Sequence, residues 1–140
     1  MDLTPFTFVY DLPLRWSDID ELGHANNARY LTYFEEGRIR YSQKVALWNW
    51  KTEGFLIAAS SINFRKPLLL RDDPKLYIRV SKMGSKSFEM TYVILNSKGE
   101  LVADGTTVQV AIDIKTFQTI AIPADIRAAT LAYEKAGTVL

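Results

Sequence analysis

One helix-periodic stretch among β-patterned ones constrains this chain more than any other feature. Between residues 27 and 48, Tyr30, Leu31, Phe34, Gly37, Tyr41, Val45 and Trp48 fall three or four apart. That is the spacing of a long helix with one aromatic buried face. Before it, residues 6–16 alternate, with Phe6, Phe8, Tyr10, Leu12, Leu14 and Trp16 on one side. Period two predicts a half-buried strand, and Pro13 on its other face marks an edge or a bulge. After Gly54 the runs at 55–64, 75–82, 88–95 and 101–114 all read as strands, with a turn at Asn96-Ser97-Lys98-Gly99. A short segment at 120–122 leads to Pro123, suited to the first turn of a terminal helix ending at Gly137.

The order is one strand, one long helix, four or five strands in hairpin-like succession and a short helix. It predicts an α+β fold, an antiparallel β-sheet curled around one long central helix. There is no internal repeat and no linker, so the 140 residues read as a single domain, 1–140, able to bury a core without staples. Three details of the long helix are also expected. Asn26-Asn27 suits its N-terminal cap, Glu36 and Arg40 form an i,i+4 pair, and Gly37 permits close approach of the helix backbone to the sheet.

Composition then narrows the chemistry. With no cysteine and a single histidine, His24, the chain has no disulfide, thiolate nucleophile, sulfur-based zinc site or polyhistidine metal site. Acid–base work falls to carboxylates, Tyr, Lys or His24. Seventeen Lys and Arg nearly cancel sixteen Asp and Glu, so no global field attracts nucleic acid or an anionic membrane. No apolar run approaches the ~20 residues that span a bilayer, and the N-terminus lacks a basic stretch followed by an apolar one. The expected setting is soluble and cytoplasmic.

The informative segment is Asp18-Ile19-Asp20-Glu21-Leu22-Gly23-His24-Ala25-Asn26-Asn27, between the first strand and the long helix. Free N–H groups at a helix start, with the dipole behind them, can hold a developing oxyanion. A carboxylate on the preceding loop can act beside them as nucleophile or general base, which suits hydrolysis of an activated carbonyl. The blander reading is that such an acid caps the helix and that His24 is a structural hydrogen-bonding residue. Spacing alone leaves both standing.

The run from Arg15 to Leu31, with Asp-x-Asp-x-x-Gly-His-x-Asn-Asn-x-x-Tyr followed by Glu-x-x-Arg at residues 35–38, resembles the signature of hotdog-fold thioesterases. In particular it resembles the 4-hydroxybenzoyl-CoA thioesterase-like branch, and more distantly the plant acyl-ACP thioesterases. The resemblance implies a hotdog fold and hydrolysis of acyl-CoA to free acid and CoA. It implies Asp20 as the catalytic carboxylate, His24 as a supporting residue and an oxyanion amide near Asn27. By helical spacing Tyr30, Tyr33, Phe34, Trp48 and Trp50 read first as core or subunit-interface residues, and Tyr30 is the substrate-binding candidate among them at the acyl pocket. The turn 82–88 resembles the family's basic turn for CoA phosphates, with Lys82, Lys86 and Ser87 as contacts and Arg65 adding charge nearby. Plant acyl-ACP enzymes carry Asn two residues after the catalytic Asp, where this chain has Leu22, so their full network does not transfer.

The resemblance implies no metal and no cofactor beyond the CoA of the substrate. It also implies a homodimer or dimer of dimers with sites at the subunit interface, in keeping with exposed sheet edges. Three other readings were weighed: an acyl-ACP thioesterase, a hotdog hydratase or dehydratase, and a non-catalytic acyl-CoA-binding module. His24 lies too close to Asp20 in sequence to match the hydratase pattern.

Overall fold

The computed structural model describes residues 1–137. It contains β1 (Phe8–Asp11), a 3-10 turn (Trp16–Asp18), α1 (Arg29–Lys44), β2 (Glu53–Phe64), β3 (Lys75–Met83), β4 (Ser87–Leu95), β5 (Leu101–Asp113) and α2 (Ala124–Gly137). The strands form one sheet in the order β1-β3-β4-β5-β2. Every pairing in it is antiparallel. The α+β expectation and the meander β3-β4-β5 therefore stand. β1 and β2, neighbours in sequence, occupy opposite edges of the sheet.

Two element boundaries differ from the sequence reading. The first strand is only Phe8–Asp11, because Pro13 cannot donate to a ladder; Leu12 N–H still reaches Pro74 O at 3.0 Å. Beyond it Trp16 stands 83% exposed, so the alternation that placed it on a buried face does not continue. The helix is Arg29–Lys44, and Trp48 lies past its end. Trp48 instead packs on Trp50, Phe55 and Phe88, with ring centroids 5.3–6.1 Å away. The expected Glu36–Arg40 pair does not form. Glu36 binds Arg15, and Arg40 lies over the Tyr10 ring.

α1 lies against the sheet because glycine allows it. A Cβ at Gly37 would collide with Ile78 Cδ1 and Leu76 Cδ2, side chains with no exposed surface. One turn earlier Phe34 stacks on Tyr92, with centroids 4.1 Å apart and planes 9° from parallel. At Gly105 a Cβ would meet the Ser61 carbonyl oxygen and the Phe34 ring. Missing side chains on both layers thus bring the aromatic face of α1 down onto β5 and β3. Among the described residues no helix is long and apolar enough to cross a membrane.

α2 is fastened over β3 by a buried acid. Glu134 Oε1 accepts from Tyr41 Oη (2.5 Å) and from Val80 N–H (2.9 Å). Burial raises its carboxyl above the ordinary value of 4.5, against the opposing pull of Tyr41, Val80 N–H and Arg79. Because the folded pKa is raised, this stabilisation is whole below 4.5 and is lost as pH climbs through the raised value. Glu134→Gln keeps the Oε1 acceptor and removes the titration. Thermal unfolding in mildly acidic and mildly alkaline buffer is expected to show a smaller alkaline loss in the variant; equal losses would refute the linkage.

Candidate functional site

The loop between β1 and α1 closes on itself. Gly23 N–H donates to Asp20 O (3.0 Å), Asp20 N–H to His24 O (3.1 Å), and Gly23 takes φ 84°, which glycine alone adopts freely. Ile19 and Ala25 pair across the base, and Asn26 N–H reaches Asp18 O at 2.9 Å. Ala25 N–H then ties the loop to Leu68 O at 2.7 Å.

Asp18 staples this loop to α1. Its side chain is fully buried, and Oδ2 accepts from Arg15 N–H (3.0 Å) and Tyr33 Oη (2.9 Å). Arg29 Nε stands 3.7 Å from Oδ1. Burial first, and the Asp18 carboxylate second, push the Tyr33 phenol well up, so it remains a donor. Sequence reasoning passed over Asp18. The usable signal was Tyr33 on the buried helix face, since a buried phenol needs a partner and the acids before the helix are the nearest acceptors.

Asp20 is half-buried. Its Oδ1 accepts from Leu22 N–H at 2.9 Å, while Oδ2 has no protein partner among the described residues. The tie is an Asx turn, not a helix cap. Asn26 makes a second turn of this kind, Oδ1 accepting from Ala28 N–H at 2.9 Å. Ala28 is the N-cap and carries no capping side chain, so the expected Asn26-Asn27 cap does not form because the chain enters α1 two residues later. Arg29 and Tyr30 N–H go to the carbonyls of Asn26 and Asn27 (2.9 and 3.3 Å). Asn27 N–H has no acceptor among the described residues.

His24, Asn27, Tyr30 and Arg65 line one cleft of about 220 Å³ with Phe64, Lys66 and Pro67. Tyr30 meets Phe64 edge-on (5.1 Å), and burial pushes its phenol up to about 12, so it stays protonated. The two cations are already paired, Arg65 with Asp104 (2.9 Å) and Lys66 with Glu100. Asp20 is not among the lining residues of this cleft; it sits across the Ile19–Ala25 bridge from Asn26 and Asn27.

Lys82, Lys86 and Ser87 lie elsewhere. Ser87 pairs with Val110 on β5, whereas Phe64 pairs with Ala103. Those positions are about 23 Å apart along the strand. The basic turn is exposed and is tied to α2, whose Arg127 donates to Gly84 O (2.5 Å) and Ser85 O (3.2 Å). Within one chain the turn and the cleft do not meet. Among the described residues no group of three or more acids or histidines is arranged to hold a metal.

Comparison with known proteins places the chain in a family. The sequence profile of the thioesterase-like superfamily matches residues 14–130. The long-chain acyl-CoA thioesterase FadM of Escherichia coli is 31% identical over 120 residues, covering 83% of this chain and 91% of that protein. A thioesterase from Thermus thermophilus, solved in complex with coenzyme A and zinc, is 30% identical with a TM-score of 0.82, covering 94% of this chain and 96% of that one. The DHNA-CoA thioesterase of Staphylococcus aureus shares the fold at 21% identity, with a TM-score of 0.82 over 94% and 95% of the two chains.

Proposed function

Because the chain belongs to the thioesterase-like superfamily and is a thioester hydrolase, we propose that it hydrolyses acyl-CoA to a free carboxylic acid and CoA through Asp20 and the Asn27 amide. The observation that carries this reading is the pair of unmatched groups that one short segment holds. A carboxylate oxygen without a protein partner, Asp20 Oδ2, and a donor without an acceptor, Asn27 N–H, lie at its two ends before α1. Asp20 Oδ2 either attacks the thioester carbonyl, releasing CoA thiolate and leaving an anhydride for water to open, or takes a proton from the attacking water. In both routes the carbonyl oxygen gains negative charge and Asn27 N–H, reinforced by the helix dipole, stabilises it. His24 and Tyr30 wall the cleft beside it.

The oligomer follows from the sheet edge. β2 has β5 on one side only, and Leu56, Ile57 and Phe64 on it are exposed. A long apolar edge of this kind pairs with another strand, and a two-fold β2–β2 pairing sets each Phe64 near the other copy's Leu56 end. The partner's Lys86 and Ser87 then approach the cleft that their own chain keeps at a distance. In this reading the sheet wraps α1 as in a hotdog, supported by the Gly37 and Phe34 contacts.

The deciding experiment is thiol release over aromatic, short and long acyl-CoAs, compared with the same acyl groups on acyl carrier protein. Preference for the carrier protein would exchange the CoA assignment for acyl-ACP hydrolysis, and tight CoA binding without thiol release would leave a binding module. The amide is tested by Asn27→Pro, which removes the N–H and is expected to lower kcat about a hundredfold. Asn27→Ala keeps the N–H and should lose far less. Equal losses in the two variants would end the oxyanion assignment.

A further inference from the structure

Arg38 is a buried cation that the site described above does not use. Its residue is 7% exposed, yet no carboxylate pairs with it among the described residues. Its one hydrogen bond, Nη1–H to Tyr92 Oη, is long at 3.4 Å. The polar chain behind Tyr92 runs the wrong way to help. Gln109 donates to Thr107 O (3.0 Å) and Phe88 O (3.1 Å) and accepts from Thr107 Oγ1 (2.5 Å). The Thr107 hydrogen is thereby used, so the Tyr92 hydroxyl donates to Thr107 Oγ1 at 2.6 Å. Only a lone pair of Tyr92 is left for a guanidinium with five N–H donors. Its remaining donors are not sealed inside the core, and they can take an acceptor from outside the chain.

The remaining donors face a second cleft, of about 320 Å³, between α1 and the β2 edge. Ile39, Trp50, Phe55, Leu56 and Ile57 make its walls apolar, and Glu35 also lines it. Its volume lies in the range of small-ligand sites. The cleft shares a stripe of α1 with the oxyanion end, since Leu31, Glu35 and Arg38 follow one another at four- and three-residue steps along the helix that begins just past Asn27. Leu31 is exposed on that stripe. Nine residues of helix separate Arg29 from Arg38, about 14 Å along the axis, the reach of a medium-length acyl chain.

Resting on the thioesterase reading, we propose that this cleft is the distal acyl subsite and that it selects acyl groups carrying a hydroxyl near their far end. The hydroxyl oxygen accepts from Arg38 and its O–H donates to Glu35, so both charged rims are satisfied by one neutral group. A plain methyl end leaves Arg38 without an acceptor, and a carboxylate end is repelled by Glu35. The apolar walls take the methylenes between.

Thiol-release kinetics of the full chain with lauroyl-CoA, its ω-hydroxy derivative and its ω-carboxy derivative decide this. Wild type is expected to favour the ω-hydroxy substrate in kcat/KM by about tenfold. Arg38→Met should abolish that preference by lowering kcat/KM for the ω-hydroxy substrate about tenfold, and Arg38→Lys should keep part of it. Equal kcat/KM for the three substrates in wild type overturns the proposal, whatever the variants do. So does an Arg38→Met enzyme whose preference survives while its oligomeric state changes, which would assign Arg38 to a contact between copies. Should Arg38→Met fail to fold, the wild-type ratio and Glu35→Gln, expected to admit the ω-carboxy substrate, carry the test alone. Absence of thiol release from every substrate in wild type would strike the thioesterase reading itself.

Discussion

Replacing Asp20 by Asn is expected to lower acyl-CoA hydrolysis by two to four orders of magnitude, the usual contribution of a positioned acid–base or nucleophilic group. The substitution is nearly isosteric, and the Asn Oδ1 can still accept from Leu22 N–H, so the turn over residues 20–24 keeps its tie. What is lost is the basic oxygen that has no protein partner. Steady-state thiol release together with CoA binding by calorimetry separates the outcomes. Loss of kcat with CoA binding retained is the expected result, whereas undiminished turnover would remove Asp20 from the chemistry. A burst of thiol in wild type before the steady state would favour attack by Asp20 over general-base catalysis.

The largest effect on stability is expected from Gly105→Ala. A Cβ there points at the Ser61 carbonyl oxygen of β2 and at the Phe34 ring, and both are held. Ser61 is locked in the β2–β5 ladder beside the Ile62↔Gly105 pair, and Phe34 is clamped on Tyr92. Neither can move aside as the end of a flexible side chain could. Overpacking against backbone is expected to cost about 3 kcal/mol, a fall of about 10 °C in Tm for a domain this size. A Tm within a degree or two of wild type would show that β2 yields there. Gly37→Ala presses only on the ends of Ile78 and Leu76 and should cost less.

The sequence made the elements legible where a period ran unbroken, as in β3, β4 and α1. It failed where a period was interrupted by something the period does not encode. Pro13 cut the first strand short although the apolar residues went on alternating, and Trp16 carried the pattern out into solvent. Trp48 kept helical spacing after the helix had ended at Lys44, because an aromatic cluster on the sheet claimed it. The polar turn before α1 was readable because its hydrogen bonds are local. Asp18 and Arg38 were not, since the partners that define them, Tyr33 and Tyr92, are 15 and 54 residues away in sequence. The distance between the basic turn and the cleft was equally hidden, as it depends on the pairing register of three strands.

The strand order has a consequence for how the chain comes off the ribosome. β2 is made early, yet among the described residues its one strand partner is β5, which ends at Asp113. Through the synthesis of the next two strands, an apolar twelve-residue strand has no mate within its own polypeptide. β3, β4 and β5 can zip as consecutive hairpins, but β2 must wait for the last of them, across a long and slow loop closure. Nascent chains stalled before residue 101 should therefore be the ones that need a chaperone or associate with each other.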